Sequence, residues 1–143
     1  MMFTRRIYSA LLVAIPTVAA GIALMQLTPL PNPLNVQWSG AHVTSTAPLW
    51  LFFLPIVAVT LLGLALAVAA VIDRDHHEPF RGTLYLAAVL TAGSAGVCLA
   101  VISMNLGYAA PTGPAFLGAL AIAPLYALLP LAVLGFKTRR RSG

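Results

Sequence analysis

Only three of the 143 residues are acidic, one is a cysteine and two are tryptophans. Charged residues of both signs make up 8% of the chain, against roughly 25% in soluble domains. A chain this poor in charge cannot cover a water-facing surface. The remainder is 60% hydrophobic, and the class this implies is an integral membrane protein. The single Cys98 excludes an internal disulfide and offers no metal-binding spacing. Lying inside an apolar run, it reads as a small packing residue.

A hydrocarbon core about 30 Å thick takes roughly 20 apolar residues in helical form. Four runs meet that length: Ile7–Leu27, Pro48–Ile72, Thr83–Met104 and Ala115–Phe136. The expected fold is therefore all-α, a single transmembrane domain over residues 1–143 built as a four-helix bundle. No run contains Asp, Glu, Lys, Arg or His. Ionisable groups within the membrane mark proton relays and ion paths, so their absence counts against a proton-coupled transporter and against intramembrane acid–base catalysis. The polar groups left at depth are Thr60, Thr91, Ser94, Cys98 and Tyr126. Hydroxyls in such positions usually bond a backbone carbonyl one turn back.

The basic residues fix an expected orientation. All eight Lys and Arg flank the runs on one side: Arg5 and Arg6, then Arg74 and Arg81, then Lys137, Arg139, Arg140 and Arg141. The opposite connections, Thr28–Ala47 and Asn105–Pro114, carry no Asp, Glu, Lys or Arg. The positive-inside rule then places both termini in the cytoplasm and the protein in the plasma (inner) membrane. On this reading the net charge of +5 reflects anchoring at an anionic leaflet, and nucleic acid is not an expected partner. Arg6 and Val18-Ala19-Ala20 imitate a secretory signal, but the first apolar run exceeds the roughly 7–15 residues of such signals, so a retained helix is expected. Seven Arg against one Lys, with abundant Ala, suits a GC-rich bacterial genome.

Helices in lipid associate through close packing of small residues. Ala88, Ala92, Gly96 and Ala100 recur every four residues, as do Ala115, Ala119, Ala123 and Ala127. Both rows are candidate packing faces. Pro16, Pro55, Pro124 and Pro130 lie within the runs. Each removes a helical hydrogen bond, which is ordinary in membrane helices and in some transporters marks a hinge.

The inner connection "DRDHHEPFRG" holds the one cluster of ionisable groups. Asp75, His76, His77 and Glu78 are weak candidates for a divalent metal. An ion-paired surface turn, with Arg74 and Arg81 beside the acids, is the preferred reading. No metal and no cofactor is expected.

The outer connection Thr28–Ala47 exceeds the roughly 12–15 residues above which a structureless loop is uncommon. Its "TPLPNP" favours a stiff, extended chain, "NVQW" a short β-like segment, and "SG" a turn. Trp38 suits the membrane–water interface. Leu30-Pro31, the segment Val36-Gln37-Trp38, Gly40 and Pro55 together resemble a pattern in small bacterial membrane proteins related to the N-terminal region of SdpI-type immunity proteins. The resemblance covers about residues 7–72. It departs at Asn35, where the pattern has a second proline, and at Gln37, where it has a histidine. Any role resting on that imidazole would be lost here, and His42 lies too far along to replace it.

The resemblance implies a multi-pass membrane protein of the immunity or signalling type, acting by binding and not as an enzyme. Its expected partners are the lipid bilayer and a secreted peptide. Pro31, Pro33, Asn35, Gln37, Trp38 and Gly40 form the candidate recognition or capping segment. The alternative is an accessory or assembly subunit of a larger membrane complex, with other membrane subunits as partners.

Overall fold

The computed structural model describes residues 2–39, 42–72, 77–108 and 113–134. Chain order is α1 (Met2–Gln26), β1 (Leu34–Ser39), β2 (His42–Ala47), α2 (Leu49–Ile72), α3 (His77–Asn105), α4 (Gly113–Tyr126) and α5 (Leu128–Leu134). The chain is thus mainly helical, with one addition to the expected all-α architecture. The outer connection folds as an antiparallel β-hairpin instead of an extended loop. Its β-branched and aromatic residues, Val36, Trp38, Val43, Thr44 and Thr46, suit a pleated strand.

Three helical stretches, Arg6–Gln26, Leu49–Ile72 and Arg81–Asn105, are long and apolar enough to cross a membrane. The fourth expected span is divided into α4 and α5. Proline chemistry explains the division. Pro130 has no N–H to give the Tyr126 carbonyl, and its ring crowds that carbonyl. The helix yields at Ala127, whose own N–H still reaches Ala123 O at 3.0 Å. At about 1.5 Å per residue, residues 113–134 still extend roughly 33 Å.

α3 is the central element and packs on α1, α2, α4 and α5. Its buried positions are Leu84, Ala87, Ala88, Thr91, Ser94, Ala95, Cys98, Val101 and Ile102. They follow alternating steps of three and four residues, the spacing that keeps a stripe on one side of a helix. The four-residue row leaves this stripe, because each such step carries it about 40° further round. Ala88 is buried, while Ala92, Gly96 and Ala100 are half-buried. Of the second row, Ala123 and Ala127 are buried. Ala115 and Ala119 belong to α4 by backbone, and their side chains lie outside the described residues.

α2 and α3 cross closely at Gly63. A Cβ added there would stand 2.8 Å from Thr91 Cγ2 and 3.0 Å from Ala87 O. One turn away, the Thr60 and Ser94 hydroxyls meet at 2.8 Å. Thr91 bonds back to the Ala87 and Ala88 carbonyls, and Ser94 to that of Thr91. The contacts 63 to 91 and 60 to 94 run in opposite directions along the two helices, so α2 and α3 are antiparallel.

α1 and the last segment are joined by two hydrogen bonds. Ser9 Oγ donates to Pro130 O at 2.9 Å, and Tyr126 Oη donates to Leu12 O at 2.6 Å. The second acceptor is distinctive. In an α-helix the Leu12 carbonyl would receive the N–H of residue 16, which is Pro16 and has none. Tyr126 thus supplies the donor that Pro16 withholds. In apolar surroundings an unbonded carbonyl is costly, so this proline and this tyrosine stand as a pair.

Two outcomes are expected in detergent thermal unfolding. Gly63→Ala lowers stability by about 1–3 kcal/mol, the usual cost of overpacking, whereas Gly21→Ala, where a Cβ meets nothing within 4 Å, does not. Tyr126→Phe costs about 1–2 kcal/mol by stranding the Leu12 carbonyl. That cost shrinks in a Pro16→Ala background, which restores the missing N–H.

Candidate functional site

The hairpin forms one end of the molecule. β1 and β2 pair Leu34 with Ala47, Asn35 with Thr46, Gln37 with Ser45, Trp38 with Val43 and Ser39 with His42, with irregular register around Gln37. Leu34 is fully buried and roots the first strand among the helices. Asn32 Oδ1 accepts the N–H of Leu49 at 3.3 Å, filling one of the open donors at the start of α2. Pro48 precedes that helix, and its carbonyl receives the N–H groups of Leu51 and Phe52. The hairpin is therefore tied to the helix that follows it as well as to α3.

The tie to α3 is made by Asn105. Its Oδ1 accepts the Asn35 N–H at 2.7 Å, and its Nδ2 donates to Asn35 O at 2.9 Å and to Val101 O at 2.9 Å. One primary amide thus bonds both backbone groups of a single strand residue, as a neighbouring strand would. The remaining amide hydrogen anchors the side chain to its own helix. Asn105 is aimed by the way α3 ends. Gly107 has φ 76°, a conformation that favours glycine. Tyr108 N–H reaches Ser103 O at 2.9 Å and Gly107 N–H reaches Met104 O at 3.2 Å. This paired closure is the Schellman motif, and it fixes Asn105 in the last helical turn, facing β1.

The candidate residues from the outer connection fall into two groups. Pro31, Asn35 and Trp38 are half-buried, and Asn35 is engaged by Asn105. Pro33 and Gln37 are exposed. Gly40 lies outside the described residues. On β2, His42, Val43, Thr44 and Thr46 are exposed. The exposed part of the hairpin is thus largely polar, without Asp, Glu, Lys or Arg, and rich in β-branched residues. Such a surface offers hydrogen-bonding groups and apolar contact, and no fixed charge.

Of the weak metal candidates, Asp75 and His76 lie outside the described residues, and His77 and Glu78 open α3 with their side chains likewise outside. Among the described residues no group of three His, Cys, Asp or Glu comes together. At the hairpin end Trp50 and Tyr108 are strongly exposed, and at the opposite end so is Tyr8. Amphipathic aromatics at the two ends of apolar helices match the belts found at membrane interfaces.

Asn105 is absent from the residues to which the sequence alone draws attention. As the first amide after a long apolar helix, followed closely by Gly107, it carries a usable signal. A side-chain amide just before a glycine helix stop faces whatever covers that end. The position Asn35 has a second meaning. The SdpI-type pattern carries proline there, and proline has no N–H for Asn105 Oδ1 to accept.

Replacing Asn105 with Leu is expected to release the hairpin. Amide hydrogen exchange at Asn35 should rise at least about tenfold, with a loss of about 1–2 kcal/mol in stability. Asn35→Pro, which removes one of the two bonds, should give a smaller loss of stability. Exchange mass spectrometry over Leu34–Ser39 checks the release, and thermal unfolding checks the order of the two variants.

The chain matches no known protein-family model, no curated protein and no solved structure.

Proposed function

We propose that this chain is a four-span protein of a bacterial inner membrane, with both termini in the cytoplasm, that acts by binding and not by catalysis. Its outer hairpin caps the bundle and presents a recognition surface of the SdpI-like immunity or signalling type. The observation that carries this reading is the double hydrogen bond between Asn105 and Asn35. A loop fixed at its base by a helix side chain presents a defined surface, whereas an unattached loop must first be ordered at an entropic cost. On this reading Asn35 and Trp38 are parts of the cap. Recognition falls to the exposed residues Gln37, His42, Thr44 and Thr46.

The membrane placement is supported by three helical stretches of 21, 24 and 25 residues with high hydropathy. Residues 113–134 add a fourth segment of sufficient length. The antiparallel order puts Arg6 and Arg81 at the end opposite the hairpin, in keeping with the positive-inside rule. The hairpin, without Asp, Glu, Lys or Arg, suits a peptide recognised through hydrogen bonds and apolar contact.

Two measurements test the reading. For topology, single cysteines at Thr44 and Ser142 are introduced with Cys98 replaced by Ala. Thr44→Cys should react with an impermeant maleimide in intact cells, and Ser142→Cys only after permeabilisation. The reverse pattern overturns the orientation. For recognition, deletion of the gene should sensitise cells to a secreted membrane-active peptide. A Gln37→Ala, His42→Ala double variant should reproduce that sensitivity at unchanged membrane abundance. Full protection by the double variant would remove the hairpin surface from the proposal.

A further inference from the structure

The last helical segment is fastened unevenly on the two sides of Ala127. On the α5 side, the apolar core joins Val13, Ala67 and Leu84 to Ala127, with Leu131 and Leu134 packed against it. Ser9 adds a hydrogen bond from α1 to Pro130 O. On the α4 side, no described residue belongs to that core. Among the α4 side chains described, Ala123 is buried and Tyr126 half-buried, and the rest are exposed, the large Leu117, Leu120, Ile122 and Leu125 included.

α4 rests on α3, and the contact between them is smooth. A Cβ added at Gly93 would stand 3.7 Å from the Cβ of Ala123. A glycine facing an alanine forms no ridge and groove to lock two helices in one setting. Farther from Ala127, a Cβ added at Gly118 would meet nothing within 4 Å. The contacts 9 to 130 and 12 to 126 make α1 antiparallel to the last segment. Gly21 therefore stands at the level of the far half of α4, and a Cβ there also meets nothing within 4 Å.

Between the firm part and the loose part lies the break that Pro130 imposes. Sharp bends in helices fall at such prolines, and hinges are short element-terminal stretches that absorb a change of backbone angle. Segments with few buried apolar contacts are the ones that open locally. We propose that α4 is a hinged arm that swings about Ala127 over α3 while α5 stays fixed to α1. The hydrogen bond from Tyr126 Oη to Leu12 O, 2.6 Å long, is the catch that holds it closed. The hydroxyl stands at the end of a long side chain beside the joint, so a turn of α4 carries it off the carbonyl. Closure is favoured because Pro16 leaves that carbonyl no N–H of its own helix. With 14 residues, α4 is a lever of about 21 Å, so a small angle at the joint becomes a large displacement near Leu117. The swing covers and uncovers the side of α3 that carries Gly93. It needs neither the hairpin nor a bound peptide, and so stands apart from the recognition proposed above.

Spin-label distances test the arm. The full chain, with Cys98→Ala, is purified in mild detergent and labelled at two introduced cysteines. Ile22→Cys with Leu117→Cys spans α1 and the far half of α4, and Tyr8→Cys with Leu129→Cys spans α1 and α5. All four positions are exposed. The α1–α4 pair should show a main distance and a minor second one, and the α1–α5 pair a single distance. Tyr126→Phe should raise the share of the second distance roughly fivefold, the worth of one hydrogen bond, and leave the α1–α5 pair unchanged. Pro130→Ala returns an N–H to the Tyr126 carbonyl and keeps the carbonyl that Ser9 uses, so it should abolish the second distance. A single α1–α4 distance in both wild type and Tyr126→Phe overturns the arm. A second distance whose share Tyr126→Phe leaves unchanged overturns the catch. Equal broadening of both pairs overturns the hinge, by showing a general loosening. If Tyr126→Phe does not fold, Pro130→Ala decides alone: a second distance that survives it overturns the joint at Ala127.

Discussion

A chain with almost no charge and many prolines must still satisfy every backbone carbonyl and amide where water does not reach. That constraint governs most of what is specific in this structure. Each interior proline leaves a carbonyl without its usual donor. Two of the four, Pro16 and Pro130, sit where α1 meets the last segment, and side-chain hydroxyls gather at the same place. Tyr126 serves the carbonyl that Pro16 strands, and Ser9 donates to the carbonyl of Pro130 itself. The bonds that hold α1 to the last segment therefore fall where helix-breaking residues left them necessary or possible. The proline positions and the interface are one feature.

The interior is built from thin layers. Gly63, Ala67, Ala70, Ala87 and Ala88 bring α2 and α3 to close range, and Thr60, Thr91 and Ser94 fill the seam with hydroxyls whose donors are all used. Larger side chains, such as Leu54, Leu61, Leu62 and Ile122, are exposed. This is the inverse of a soluble core, and it is the arrangement that a lipid solvent would favour. Lipid accepts leucine as readily as protein does, so burying leucine gives no drive to association, whereas close van der Waals contact does. α3, with neighbours on several sides, is mostly lined with small residues.

The helices were readable from apolar run length, the same property that makes three of them long and apolar enough to cross a membrane. Their ends were less so. α3 begins six residues before the expected start, since residues 77–82 adopt helical backbone although the segment opens on polar residues, and run length cannot detect a polar first turn. The division at Ala127 was implicit in Pro130, but proline in a membrane helix does not by itself say whether the helix bends or breaks. The β-like character of "NVQW" was visible from its residue types. Its pairing with HVTSTA was not, because a hairpin is defined by a partner strand and the second strand carries little apolar alternation. Asn105 escaped for a different reason: a single amide gains its meaning only from the strand it faces. Attention fell on Asn35 and Gln37 for departing from a pattern. The geometry gives Asn35 a use for its N–H, and leaves Gln37 exposed at the irregular step of the ladder.

α3 also acts as a gauge. Its middle is registered by the contact of Thr91 with Gly63, and its end by the bonds of Asn105 to Asn35. Fourteen residues separate Thr91 from Asn105, about 40° short of four full turns. Adding or removing one residue between them would swing Asn105 about 100° around the helix axis, away from β1, while leaving composition and hydropathy unchanged. Descendants of this sequence can exchange many of the residues in that interval. They cannot easily change its length, so insertions and deletions should be far rarer there than substitutions.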